Sequence, residues 1–272
     1  MEYSSERLEK LHSTLLEILD YIDLICSTNN LTYFLAGGTA LGAKRHGGFI
    51  PWDDDLDIFM PRQDYNLFLE LVKTDNSQYS IQNETNERNY HQFFSKIRKK
   101  GTLFREEIVD GLYEDNGIFV DIFPFDFADN ISSIEFKRDS NNIRLMRLAL
   151  QMRYCKDFIR RSKSTLGYLK AIIITLPYCF MSKERIYENT NRLMQKRNNL
   201  THNYVVCFTG MYGERDRWDL STVFPPQIVM FEGKRYPTFA KLDEYLSQTY
   251  GDYMKLPPEE KRHSHEPLEI RF

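Results

Sequence analysis

The sequence predicts an α+β fold in which a mixed β-sheet core is flanked by helices and interrupted by a helical insertion. Three observations lead to this class: strands alternate with helices as far as the helix that Pro61 opens, residues 79–123 are rich in strand patterns, and residues 131–199 turn helical. We therefore expect a core at 1–130, a helical insertion at 131–199, and a C-terminal part at 200–272 that returns to the core.

Hydrophobic periodicity and chain-breaking residues give the individual elements. Apolar residues at three- and four-residue steps predict an amphipathic helix at 4–29, and the apolar run at 32–36 predicts a strand. A short helix should follow at 39–44, capped by its first residue, a threonine. DLDIFM at 55–60 predicts the next strand, after which Pro61 suits the first position of a helix.

Further along the chain, strand patterns come first and helical patterns second. The strand-like segments between residues 79 and 123 are YSIQ, HQFFSKIRK, TLFREE and GIFVDIF. The helical segments LMRLALQM and SKERIYENTNRLMQKR lie in the expected insertion. YVVCFTG at 204–210 predicts a short strand, and FAKLDEYLSQTYG predicts a helix near the end.

Composition excludes several classes of protein. With 42% hydrophobic residues, 28% charged residues and a formal net charge of −3, the chain resembles a soluble globular protein and should bind no nucleic acid. The N-terminus is polar, and the longest apolar run, at 171–181, is too short to span a bilayer. The four cysteines form no CxxC pair, which argues against structural zinc. A cytoplasmic location is expected.

The segment IPWDDDLDIFM holds the most informative side chains. Asp53, Asp55 and Asp57 are spaced two apart, and side chains two apart on a strand share a face. Neighbouring carboxylates repel, and a cation that prefers oxygen ligands, Mg²⁺ or Mn²⁺, is the usual remedy, so Asp55 and Asp57 are predicted metal ligands. A solvated acidic turn is the alternative, which the apolar Leu56 disfavours. A calcium-binding EF-hand loop is excluded because Ile58 stands where it requires glycine.

Two further signals surround these acids. Gly37, Gly38 and Thr39 lie between a predicted strand and a helix start, where small residues let a phosphate approach the backbone amides. Asp121 stands in an otherwise apolar strand, where a carboxylate is costly to bury unless it is paired. We expect Asp121 to complete the metal site; a hydrogen-bonded structural aspartate is the alternative.

These motifs resemble the LicD family, within the nucleotidyltransferase-fold superfamily. GTALGAKRHGGFIPWDDDLD is similar, nearly position for position, to the family pattern GxLLGxxRHGGFIPWDDDxD. FFSKIRKKGTLF, GIFVDIFPFD and FEGKRYPTFAKLDEYLSQTYGDYMKLPP resemble later blocks of the family. The resemblance covers the chain to residue 126 and again from residue 231, and it is weak over 131–199; the animal fukutin group is a more distant relative.

The resemblance implies a nucleotidyltransferase-like catalytic core that moves phosphocholine from CDP-choline to a sugar hydroxyl of a cell-surface glycan, with CMP leaving. The glycan would be a teichoic acid, its lipid-linked precursor, or lipooligosaccharide. Asp55 and Asp57 would hold the metal against the donor diphosphate. Asp121 would complete the metal shell or accept the proton of the attacking hydroxyl.

Residues beside the motifs are expected to bind the substrates. Basic side chains would screen phosphate charge. An exposed basic strand face is the alternative for Lys96 and Arg98, and a structural hydrogen bond is the alternative for His46. Aromatic faces attract choline's quaternary ammonium, unless the rings near the motifs, Trp52, Phe123 and Phe125, belong to the core. The substrate-binding candidates are Gly37, Gly38, Thr39, Arg45, His46, Trp52, Lys96 and Arg98.

Other functions are compatible with parts of this pattern. A true nucleotidyltransferase would move a nucleoside monophosphate from a nucleoside triphosphate and release pyrophosphate. A relative of the fukutin group would transfer ribitol phosphate, and glycerol phosphate is a third possible cargo. A non-catalytic glycan- or membrane-binding relative is disfavoured, because such a protein should have lost acids and all three are present.

A basic stretch followed by an apolar one predicts peripheral contact with an anionic membrane. Between Lys137 and Lys163 the basic residues far outnumber Asp139 and Asp157, and the nearly uncharged segment 166–181 follows. This combination is typical of an interfacial anchor, and it would place the site beside a lipid-linked acceptor. A solvated helix face followed by a core helix is the alternative.

Overall fold

A mixed seven-stranded sheet forms the centre of the computed structural model, which describes residues 4–75, 77–154, 165–262, 264 and 267–272. Its strands are β1 (Phe34–Leu35), β2 (Asp57–Pro61), β3 (Tyr79–Gln82), β4 (Ser95–Lys99), β6 (Phe119–Ala128), β7 (Tyr204–Val206) and β8 (Arg217–Asp219). The strand order is β1-β2-β6-β4-β3, and β7 joins β6 to β8. The β2–β6 pair is parallel and the other pairs are antiparallel.

Helices cover this sheet, which confirms the predicted α+β class. They are α1 (Ser5–Thr28), α2 (Gly37–His46), α3 (Arg62–Thr74), α4 (Ile134–Tyr154), α5 (Thr165–Cys179), α6 (Lys183–Met194), α7 (Leu220–Val223) and α8 (Leu242–Tyr250). Helix α1 begins where the Ser4 hydroxyl accepts the Arg7 N–H, and its apolar stripe is buried as its periodicity predicts.

Strand β6 organises the sheet because it pairs with β2 and β4 along one part of its length and with β7 along the rest. The C-terminal part packs into the same core as the N-terminal strands: Phe34 contacts Phe239, whose ring stacks on Tyr245 with centroids 3.7 Å apart. The fold is therefore closed by residues from both ends of the chain.

A buried ion pair joins α3 to the sheet. Arg62 donates two hydrogen bonds to Asp126, at 3.0 and 2.6 Å, and both side chains are buried. Pro61 ends β2 and is the N-cap of α3, one position before the helical position that was predicted for it. Pairs of this geometry fix one arrangement of a helix against a strand more than they add net stability.

Helices α4 to α6 lie in the predicted insertion and share a second, smaller core around Ile143, Leu150 and Ile186. Two of the described basic residues of this region bind backbone carbonyls. Arg147 donates to backbone carbonyls of the segment after β7, and Arg153 donates to carbonyls at the end of α5. Lys156, Arg160, Arg161 and Lys163 lie outside the described residues.

Four strands were not predicted, the first of which is β8, the partner of β7. Strands β9 (Gln227–Phe231) and β10 (Lys234–Thr238) form a hairpin, and β11 (Glu269–Arg271) pairs with β5 (Leu103–Arg105). At the hairpin tip, the Glu232 carboxylate accepts the Phe49 N–H at 2.9 Å, and the Glu232 N–H donates to the Gly47 carbonyl at 3.0 Å. The hairpin thereby holds the loop that follows α2.

Candidate functional site

Three neighbouring strands align three charged side chains in one row. Asp57 on β2 is the register partner of Asp121 on β6, and Asp121 is the register partner of Lys96 on β4. Directly paired residues project to the same face of a sheet, so the two carboxylates and the ammonium lie side by side. Lys96 Nζ lies 2.9 Å from Asp121 Oδ1.

The row carries more negative charge than its surroundings compensate. Burial raises the pKa of Asp57 well above its usual value, and repulsion from Asp55, Asp121 and Asp53 adds to this. Burial also raises the pKa of Asp121, although the Lys96 ammonium opposes the shift. Lys96 is the cation in contact with Asp121, and Asp57 has no ion pair of this kind among the described residues. Clustered buried carboxylates with so little compensating charge fit a divalent cation.

The described acids do not surround a common point as the ligands of a bound ion would. In the described part of the chain, no three histidine, cysteine, aspartate or glutamate side chains converge closely enough to hold an ion. Asp55 precedes β2, which begins at Asp57, so strand alternation does not place it as predicted. Its charge nevertheless acts on Asp57. Metal binding by Asp55, Asp57 and Asp121 therefore stays a prediction.

Gly37 and Gly38 leave room for carboxylates. Gly37 has a φ of +53°, and a Cβ there would lie 2.7 Å from Asp57 Oδ2. A Cβ on Gly38 would lie 2.8 Å from Asp53 Oδ2. The glycines thus let the acids pack against the start of α2, where the positive end of the helix favours negative charge.

The start of α2 differs from the prediction. The helix begins at Gly37, so Thr39 lies inside the first turn and does not cap it; its hydroxyl instead accepts the Asp57 N–H at 2.9 Å. The Gly37 N–H donates to Tyr245 Oη at 2.8 Å. This amide is therefore engaged within the protein, which restricts the predicted phosphate cradle to the amides of Gly38 and Thr39.

Lys96 and Arg98 are both buried, so the alternative of an exposed basic strand face is wrong. Lys96 contacts Asp121 and belongs to the site. Arg98 has no exposed surface, and its guanidinium donates to Gln82 Oε1 at 2.8 Å and to the Gly117 carbonyl. Arg98 therefore supports the strands beside the row and offers no surface to a ligand in this conformation.

Arg45, His46 and Trp52 lie at the other end of α2 and in the loop after it. Arg45 Nη1 donates to the Tyr253 carbonyl at 2.7 Å, and Arg45 Nε donates to His46 Nε2 at 3.0 Å. The second contact is a structural hydrogen bond, which was the alternative interpretation of His46. The Arg262 guanidinium lies 5.1 Å from the centre of the partly buried Trp52 ring. That ring face already attracts a cation.

The sequence did not identify two tyrosines that interact with the acids. Phe123 and Phe125 are buried, which agrees with the alternative interpretation that these rings belong to the core. Tyr212 and Tyr250 lie within electrostatic range of Asp57, and their ring centroids are 5.4 Å apart. Burial raises the pKa of both phenols, and the charge of Asp57 raises it further. No motif marks these tyrosines, because only the fold brings them to the row.

Comparison with known proteins agrees with this architecture. Residues 30–162 match the family described as LicD/FKTN/FKRP, nucleotidyltransferase domain, which defines the class. The chain is 31% identical over 256 residues to the lipopolysaccharide cholinephosphotransferase LicD of Haemophilus influenzae, and the match covers 92% of each chain. The chain belongs to the LicD family.

More distant relatives are named for the transfer of a different phosphorylated alcohol. The ribitol 5-phosphate transferases FKRP of mouse and human are each 30% identical to the chain over 109 residues. Those matches cover 40% of this chain and 20% of the relatives. The named relatives are thus transferases of phosphorylated alcohols, and the longer likeness is to the cholinephosphotransferase.

We predict that Gly37→Ala impairs the site more than the matched variant Gly233→Ala. Both glycines have positive φ, so each alanine should cost about 1–2 kcal/mol of unfolding free energy in urea titrations. Only at residue 37 would the new methyl displace the Asp57 carboxylate, since nothing lies within 4 Å of a Cβ at residue 233. Donor cleavage should therefore fall at least about tenfold in Gly37→Ala alone; equal rates in both variants would contradict this packing role.

Proposed function

We propose that the chain transfers phosphocholine from CDP-choline to a sugar hydroxyl of a cell-surface glycan and releases CMP. The row of Asp57, Asp121 and Lys96 carries the proposal, in a chain similar along 92% of its length to a lipopolysaccharide cholinephosphotransferase. That likeness favours a lipopolysaccharide-type acceptor, with a teichoic acid precursor as the second candidate. Ribitol phosphate is a weaker candidate cargo, because the likeness to FKRP covers 40% of the chain.

The acids and the lysine have distinct tasks in this proposal. Asp55, Asp57 and Asp121 would hold Mg²⁺, or Mn²⁺, whose charge stabilises the donor diphosphate and the leaving CMP. The raised pKa of Asp121 makes its carboxylate a better proton acceptor than an exposed aspartate, so it is also the candidate base for the attacking hydroxyl. Lys96 orients Asp121 and adds positive charge beside the transferred phosphoryl group.

The tyrosines near the row offer a place for the choline group. A quaternary ammonium donates no hydrogen bond, and each aromatic face contributes about 0.5–2 kcal/mol to its binding. Tyr212 keeps 42% of its surface exposed and meets Tyr250 edge to face. Asp57 is close enough to act on both phenols, so a cation held there would lie near the carboxylates.

A donor screen tests the activity. We expect the purified protein with Mg²⁺ to release CMP from CDP-choline faster than from CDP-ribitol or CDP-glycerol, and to leave CTP intact. Mass spectrometry of the glycan should show an added phosphocholine, because the bond between the two phosphates is the one that breaks. Attachment of CMP to the glycan, with pyrophosphate released from CTP, would instead establish a nucleotidyltransferase.

Loss of one acid tests the row. We predict that Asp57→Asn lowers turnover by at least about 10²–10³-fold, the scale for removing one charge-stabilising group. EDTA should abolish activity. The urea midpoint should stay close to that of the wild type, since the change relieves repulsion. The matched control Glu188→Gln removes an exposed carboxylate from α6 and should keep full activity. A folded Asp57→Asn protein with normal turnover would refute the role of the row.

Helix α5 supports the proposed contact with the cytoplasmic face of an anionic membrane. None of the described helices is long and apolar enough to cross a bilayer. Leu169, Ile173 and Leu176 of α5 recur at helical spacing and are 52%, 69% and 51% exposed, and Phe180, which directly follows the helix, is 88% exposed. This segment contains no acidic residue and one exposed lysine, Lys170. A row of exposed apolar side chains without acids fits the boundary between lipid headgroups and acyl chains.

Vesicle binding tests this contact. We predict that the protein co-sediments with phosphatidylglycerol vesicles more than with phosphatidylcholine vesicles. Ile173→Ser/Leu176→Ser should weaken binding about tenfold or more. The control Leu24→Ser/Leu67→Ser removes equally exposed apolar groups from α1 and α3 and should bind as the wild type does. Equal, salt-independent binding by both variants would exclude α5 as the lipid contact, and a concentration-dependent dimer that only Ile173→Ser/Leu176→Ser abolishes would assign the stripe to a second copy.

A further inference from the structure

A cavity lies beside the segment that carries Tyr212. It has a volume of about 490 Å³ and is bounded by α4 on one side and by residues 206–217 on the other. Met211 and Gly213 line it, whereas Tyr212 between them lies near the carboxylate row. One short segment therefore separates the row from this cavity.

The cavity is strongly basic. Its lining contains four basic side chains, Lys137, Arg144, Arg147 and Arg217, against one acidic side chain, Glu214. Glu214 lies 3.5 Å from Arg217 and is itself 86% exposed, so it compensates little of this charge. The protein has a net negative charge, which makes such a local excess of positive charge a feature of this cavity and not of the whole surface.

Among the described residues, the lining holds a cation that no carboxylate pairs with and a hydroxyl that has no hydrogen-bond partner. Arg147 donates through Nη1 to the carbonyls of Thr209 and Gly210, and it forms no ion pair with a carboxylate among the described residues. Burial lowers the pKa of its guanidinium. The Ser140 hydroxyl is buried and has no hydrogen-bond partner in the described part of the chain. The Arg147 guanidinium and the Ser140 hydroxyl together fit an anion with several acceptor oxygens.

Hydrogen bonds fix the conformation of the segment that faces α4 across the cavity. Asp216 is buried, and its carboxylate accepts the Tyr212 N–H at 2.7 Å. A Cβ on Gly210 would lie 2.3 Å from Asp216 Oδ2, so the turn closes tightly around that carboxylate. Since Arg147 binds the outside of the same turn, the cavity and the position of Tyr212 are fixed together.

We propose that this cavity binds a phosphate group of the acceptor. Two or more basic side chains with a hydroxyl donor match the geometry and charge of a phosphate monoester or diester. A glycan held there by its phosphate would extend past Tyr212 toward Asp57. This inference rests on the proposed function for the identity of the acceptor, but the anion site itself rests on the cavity alone.

Phosphate binding can be measured without any transfer reaction. Isothermal titration with glucose 1-phosphate should show binding that glucose lacks. Lys137→Gln/Arg144→Gln should weaken it about tenfold or more, because it removes two charges from the lining. Arg138→Gln removes an exposed charge from the same helix outside the lining and should bind as the wild type does. Both altered side chains of the double variant are exposed, so urea unfolding should show an intact fold.

The outcomes separate the sources of the phosphate. Weaker binding of glucose 1-phosphate by the double variant assigns the cavity to a phosphate carried on sugar. If only the binding of phosphatidylglycerol vesicles is weakened, the phosphate belongs to a lipid headgroup. Equal binding of both probes by the double variant and Arg138→Gln would overturn the proposal. The titration contains no CDP-choline, so its result does not depend on whether the protein cleaves that donor. Likewise, a lack of phosphate binding would not contradict the proposed transfer reaction.

Discussion

Repulsion between two carboxylates on directly paired parallel strands is the constraint on which the rest of the site depends. Asp57 and Asp121 share one register position with little solvent around them, where charges act on each other more strongly than in water. The surroundings reduce this cost in two ways. Lys96 supplies the next charge along the row, and the glycines at the start of α2 let the acids approach the positive end of a helix.

The supporting structure comes from distant parts of the chain. The family match ends at residue 162, yet Tyr245 holds the Gly37 amide and the β9–β10 hairpin holds the loop after α2. The insertion contributes in a different way, because α4 forms one wall of the basic cavity. The strand-and-helix core that carries the acids is thus combined with a helical layer that contributes a separate cavity.

The sequence predicts the order of elements and the three acids, because period-two and helical patterns are strong in those segments. It does not predict the row itself, since the pairing of Lys96 with Asp121 depends on the strand order. The β9–β10 hairpin escapes prediction because Ile228 and Met230 are exposed, so its apolar pattern does not follow burial. The burial of Arg98 is not apparent from the sequence, because Gln82 and Gly117 accept hydrogen bonds from its guanidinium inside the sheet, which no local pattern reveals.

The hydrogen bond from Gly37 to Tyr245 joins two segments that are 208 residues apart in the chain. The ribosome makes the motif with its glycines and acids before it makes the helix that holds the Gly37 amide. A growing chain can therefore form much of the sheet while its glycine turn still lacks this support. During synthesis, the site becomes fully organised only after α8 has been made and has packed against the core.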